Sequence, residues 1–153
     1  GGWVFGKDRI LSSREIFRAR RVPRLVFANA CFSAVVNKGK ALTAAELNRQ
    51  LAGIAEAFFE RGVQNYIGSG WPVDDELAVQ FATTFYEMAL AGVVRSGQPT
   101  DGRKKANAKS RKVASPSTLA AAMKAAREAI LQEGNTWGAY QHYGKATDKL
   151  LVS

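Results

Sequence analysis

The tightest constraint on this chain is a four-residue apolar run, Leu25-Val26-Phe27-Ala28, that gives out at Asn29. So short a run, with no polar alternation, fits a strand buried on both faces, and such a strand needs covering layers above and below it. In open α/β sheets reactive side chains collect just beyond the carboxyl ends of the strands, where the backbone leaves the sheet and a crevice opens to ligand. Cys31, the only cysteine in the chain, falls at that place. A lone thiol cannot close an intramolecular disulfide, so two readings stand, a small buried hydrophobe and a nucleophile. Spacing alone favours the first, because free cysteine is among the most buried residue types.

The flanking sequence supplies the layers. Trp3 to Phe5 reads as the end of a strand. Ser12 as cap with Glu15 three residues on has the form of a capping box opening a helix whose apolar side begins at Ile16, and Pro23 closes that segment. A loop through Val36 to Lys40 follows Cys31, and a helix begins near Thr43. Its apolar face is Leu47, Leu51, Ile54, Ala55 and Phe58, with Gly62 placed just past its end. Val63 to Ile67 is a second strand, broken by Gly68-Ser69-Gly70. Asp74, Asp75 and Glu76 then open a third helix with Leu77, Phe81, Phe85 and Met88 inward; acids there are favoured by the helix dipole, so capping is their plainest role. Ser115 as cap, with Pro116 at the first helical position, begins a last helix that turns Leu119, Met123, Ala126 and Ile130 inward and ends at Gly134. Thr136 to Gly144 is an aromatic closing segment. This order of elements predicts a single α/β domain, an α/β/α sandwich with a mostly parallel sheet.

Charge narrows the function classes. The chain of 153 residues carries a net charge of +9, and six of its basic residues, Arg103, Lys104, Lys105, Lys109, Arg111 and Lys112, lie in one polar stretch within residues 94–115. That concentration reads as a solvated loop, longer than ordinary connections need. No aromatic residue is interleaved to stack bases, which argues against nucleic acid as the partner. No run approaches the length of a membrane span, and no zinc-ligand spacing or phosphate-cradling glycine motif occurs, so no metal, cofactor or membrane is expected. A single cysteine gives no sign of an oxidising compartment, which makes the cytoplasm the default location. The opening Gly1-Gly2-Trp3, with no initiator Met, is expected to belong to a longer protein.

Several motifs in order carry a resemblance. LVFANACFSA, AFFERGVQNYIGSGWPVDDE, TFYEMALAG, AAREAI and TWGAYQHYG, spread from about Leu11 to Gly144 and interrupted by the basic stretch, resemble the CHAT family of caspase-like peptidases, relatives of separase with the caspase-haemoglobinase fold. The resemblance implies that residues 1–153 are the C-terminal portion of one such domain, with the sheet incomplete at the N-terminus. It also implies that Cys31 is the nucleophile of a cysteine endopeptidase acting on protein substrates. A thiolate at a strand end can attack a peptide carbonyl while the backbone N–H of Cys31 stabilises the oxyanion.

The family's His-Gly motif, which supplies the general base, has no counterpart here. The only histidine, His142, lies in the closing segment, where a packing or surface role is expected. The base would therefore come from an N-terminal portion outside this chain, and this chain alone would be a poor peptidase. The resemblance further suggests Asp74 and Asp75 as receivers of a basic P1 side chain, Asp75 being better placed by its spacing from Trp71. It suggests upstream helical-repeat or sensor domains as partners in regulated proteolysis, including bacterial defence, and the basic stretch as a site of self-processing. The other reading is a non-catalytic interaction domain in which the caspase-like fold serves assembly.

Overall fold

The computed structural model describes residues 2–5, 9–29, 43–91 and 116–151. The elements are β1 (Gly2–Phe5), β2 (Arg9–Ser12), α1 (Ser13–Arg18), β3 (Leu25–Ala28), α2 (Ala44–Glu60), β4 (Asn65–Ser69), α3 (Asp75–Ala89), α4 (Leu119–Ala129), α5 (Thr136–Ala139) and β5 (Tyr140–Gly144). The fold is mixed α/β. A three-stranded sheet of order β3-β4-β5 lies between helices, and β1 pairs antiparallel with β2 in a separate hairpin.

Local signals set many of the boundaries. The apolar run is β3, residue for residue. Ser12 and Glu15 form the predicted capping box, the Ser12 N–H donating to the Glu15 carboxylate at 3.0 Å. Gly62 follows α2 at φ +104°, a left-handed conformation that a side chain would resist. The fold of α3 over the sheet follows its sequence periodicity: Phe81 and Phe85 are fully buried, with Leu77 and Met88 packed beside them.

The alternation of β4 divides the interior in two. Ile67 faces α3 and α4, in a core with Phe81, Phe85, Leu119, Met123, Ala126, Ile130 and Tyr140. Tyr66 faces α1 and α2, with Ile16, Ala28, Ile54, Ala55, Phe58 and Val63. Trp3 of the hairpin closes this second core, its ring 5.5 Å from that of Phe58 and 6.4 Å from that of Tyr66.

Four expectations are corrected. The sheet is mixed, not mostly parallel: β3 and β4 run parallel, but β5 runs antiparallel to β4. One crossover helix, α2, returns the chain to the start of the next strand, whereas two helices, α3 and α4, return it to the end where β4 finished. Their antiparallel pairing shows in Gln80 Nε2 donating to Ala129 O at 3.2 Å at one end and the Ser117 N–H donating to Met88 O at 3.3 Å at the other. The second strand is displaced to Asn65–Ser69 and includes Gly68 and Ser69, because Gly68 pairs with Ala28 and Gln141 inside the ladder. Strands β2 and β5 were not expected as strands. The last helix begins at Leu119 rather than Pro116, with Thr118 as cap accepting the Ala121 N–H at 3.2 Å. Its first two N–H groups, of Leu119 and Ala120, donate to the carbonyls of Asp148 and Ala146 at 2.7 and 3.0 Å, so a segment some thirty residues downstream sets where it starts. Ser115 and the basic stretch lie outside the described residues, as does Cys31.

No described helix is long and apolar enough to cross a membrane. Phe85 lies at the junction of α3 with β3, its ring 5.3 Å from that of Phe27. Phe85→Ala is expected to cost about 3–5 kcal/mol of stability, read from urea unfolding at unchanged m-value. A loss below about 1 kcal/mol would show that the two layers are not packed as described.

Candidate active site

The carboxyl ends of β3 and β4 lie side by side, Ala28 opposite Gly68, and β5 begins at that same end with Tyr140 opposite Ser69. Asn29 is the first residue beyond β3, and its Oδ1 accepts the Tyr140 hydroxyl at 2.6 Å. Tyr140 is fully buried, and its ring stacks on Phe81 with centroids 4.1 Å apart and planes 18° apart. A rigid ring in the core thus fixes the side chain at the point where the chain leaves the sheet, two residues before Cys31. That link joins residues 111 positions apart, and sequence reading gave Asn29 no such role.

Three more bonds tie down the loops at this end. The Gly70 N–H donates to Ala139 O at 2.8 Å, and the Asp74 N–H donates to the buried Thr136 Oγ1 at 3.2 Å. Arg127 Nη2 donates to Tyr140 O at 2.7 Å. Between Gly70 and Asp74 stands Trp71, exposed, with its ring against Gly138, where an added Cβ would come within 3.4 Å of it.

Both acids singled out from the sequence are exposed here. Asp74 caps α3, one carboxylate oxygen accepting the N–H groups of Glu76 and Leu77 at 3.0 Å each. Asp75 is the first residue of the helix. The two therefore sit on the loop that leaves β4, on the same end of the sheet as Asn29. Cys31 itself lies outside the described residues.

The histidine is elsewhere. His142 lies on β5 opposite Ile67, and its Nε2 is 2.9 Å from Asn65 Oδ1, at the start of β4. Asn65 uses its amide nitrogen to donate to Asp148 Oδ2 at 3.0 Å, so its oxygen is the acceptor and the imidazole carries its proton on Nε2. The ring is thus anchored toward the amino end of β4, and four strand steps, about 13 Å, separate Asn65 from Ser69. Asn65 is buried, and this pair of bonds satisfies an amide that would be costly to leave unpaired.

Burial holds the His142 pKa below its ordinary value; Asp148 acts against that shift and Arg127 adds to it. An unfolded chain takes up the proton near pH ~6.5 while the folded one resists it. This contribution to stability is complete above that pH and is lost as pH falls from it through the folded value. His142→Gln keeps an amide donor for Asn65 and removes the titration. Melting temperatures between about pH 7.5 and 5 should therefore fall more steeply in the wild type than in the variant; parallel curves would refute the assignment.

Among the described residues no cluster of three or more His, Cys, Asp or Glu side chains could hold a metal ion. Neither the curated proteins nor the solved structures compared with the chain yield a match. The family model for the CHAT domain matches residues 1–145, nearly the whole chain. The chain belongs to the CHAT domain family, a caspase-like peptidase family.

Proposed function

We propose that this chain is the nucleophile-bearing part of a cysteine endopeptidase, with Cys31 as the nucleophile and a histidine outside the chain as its base. The observation that carries the reading is the position of Cys31, three residues past Ala28 at the carboxyl end of a strand that is parallel to its neighbour and covered on both faces. Family membership gives that position its chemistry. The helices over both faces are also what a caspase-haemoglobinase-like sandwich would need, with β5 as its antiparallel strand.

In this mechanism the Cys31 thiolate adds to the scissile carbonyl, and the Cys31 backbone N–H donates to the oxyanion. The leaving amine departs with a proton from the external imidazole, and water then releases the acyl group from sulfur. In this reading His142, bonded to Asn65 at the other end of β4, keeps a packing role and the base comes from outside the chain. Asp75, beside Asn29's end of the sheet, is the candidate to receive a basic P1 side chain, and Asp74 assists it only with what its capping role leaves over. A carboxylate facing an Arg or Lys side chain discriminates strongly, since a neutral substrate would leave the charge unpaired.

The test is alkylation of Cys31 by a peptidyl ketone electrophile ending in arginine, with Cys31→Ser as control. An ordinary thiol is only a few per cent thiolate at neutral pH, so this chain alone should label slowly. A longer protein that carries an upstream histidine should label at least ~100-fold faster. Asp75→Ala in that protein should remove the preference for arginine over leucine electrophiles. Equally slow labelling in both proteins would replace the peptidase reading with that of a non-catalytic assembly domain.

A further inference from the structure

On the Tyr66 face of the sheet, a groove of about 830 Å³ runs between α2 and the outer strand β5. One stripe of α2 forms its wall, Ala52, Ala55, Glu56, Phe59 and Glu60, and Gln141 and Tyr143 of β5 face it, with Trp71 at its upper rim. The volume lies within the range of small-ligand and peptide side-chain pockets, roughly 300–1,000 Å³.

Three features of this groove point to an occupant. Phe59, Trp71 and Tyr143 are large apolar side chains left exposed, and all three converge on it. Isolated exposed apolar residues are ordinary; a converging set marks a contact surface. Glu56 and Glu60 stand one helical turn apart, a like-charge spacing that weakens an isolated helix, and neither forms an ion pair among the described residues. The third feature is the Tyr66 hydroxyl. Tyr66 is 2% exposed, lines the groove, and its hydroxyl has no hydrogen-bond partner. Its ring lies over Gly68, where an added Cβ would approach Cε1 to 2.9 Å and the hydroxyl oxygen to 3.3 Å, so the glycine is what lets the hydroxyl sit there.

We propose that the groove is a docking site for a peptide segment that presents an arginine side chain to Glu56 and Glu60. Charge complementarity selects the occupant: the chain as a whole is strongly basic, and among the described residues this groove is lined by two carboxylates and no cation. The guanidinium pairs with the carboxylates and stacks on the aromatic faces, which an ammonium does less well. Its aliphatic stem covers Phe59 and Tyr143, and a peptide carbonyl accepts from the Tyr66 hydroxyl, supplying the partner it lacks. The site is built from α2, β4 and β5, apart from Asp74 and Asp75, and does not rest on the chemistry of Cys31.

Binding is measured with Cys31→Ser protein and a fluorescein-labelled hexapeptide of alternating leucine and arginine, by anisotropy. Saturable binding is expected, weakening as salt is raised. The double variant Glu56→Gln/Glu60→Gln, altered only at exposed positions, should bind at least about 10-fold more weakly, and Tyr66→Phe, which keeps the ring, about 3-fold more weakly. Glu128→Gln, at an exposed acid of α4 remote from the groove, should bind as the parent does. The proposal is overturned by equal affinity of the double variant, by equal binding of a hexapeptide with glutamate in place of arginine, or by no saturation up to about 1 mM peptide. Failure here leaves Cys31 labelling unaffected, and slow labelling leaves this binding unaffected.

Discussion

Strand β4 is held on every side. β3 takes one edge and β5 the other, helices cover both faces, and all five of its residues are buried. Burial on that scale leaves no freedom of register. A slip by one residue would exchange Ile67 with Tyr66 between the two cores and carry Gly68 to the other face with it. Each layer is therefore placed by reference to this strand, the α3 and α4 layer through Ile67 and the α1 and α2 layer through Tyr66.

The two ends of β4 are treated differently. At its start, Asn65 is joined to His142 and Asp148, and the neighbouring carbonyls of Ala146 and Asp148 accept from the first turn of α4. Gly144 fits there because an added Cβ would collide with Asn65 Oδ1 and come within 2.7 Å of Gln64 O. That end is closed by mutual hydrogen bonds. At the other end the bonds run from the exits of β3 and β4 to α5 and the start of β5, Asn29 to Tyr140, Gly70 to Ala139 and Asp74 to Thr136. They hold the chain's exits from the sheet in fixed places, as a site must to keep its reacting groups in position.

What the sequence made legible was local. The bounds of β3, the capping box at Ser12 and Glu15, the cap at Asp74, Gly62 past α2 and the inward faces of α3 and α4 follow from short-range periodicity and capping, and all are found. For α2, Ile54, Ala55 and Phe58 are buried as its spacing predicts, while the side chains of Leu47 and Leu51 lie outside the described residues. The family was legible as well, carried by ordered motifs and borne out by the match over residues 1–145. What sequence reading missed depends on distant partners. β5 contains Gln141, His142 and Gly144 and has no β-branched residue; it is a strand because β4 offers it an edge. The start of α4 is set by carbonyls near residue 148, and the Asn29–Tyr140 bond has no short-range signature at all.

Topology also relates the groove to the candidate active site. Cys31 lies on the crossover between β3 and β4, and α2 is the helix of that same crossover. The crossover is anchored at one end by Asn29 on the Tyr140 hydroxyl. At the other it is anchored by α2, whose Phe58 ring packs 6.0 Å from that of Tyr66. The stripe of α2 that walls the groove is contiguous with the one that makes this contact, since Ala55 belongs to both. A side chain wedged between Glu56 and Tyr143 would therefore bear on the helix that holds one end of the segment carrying the thiol.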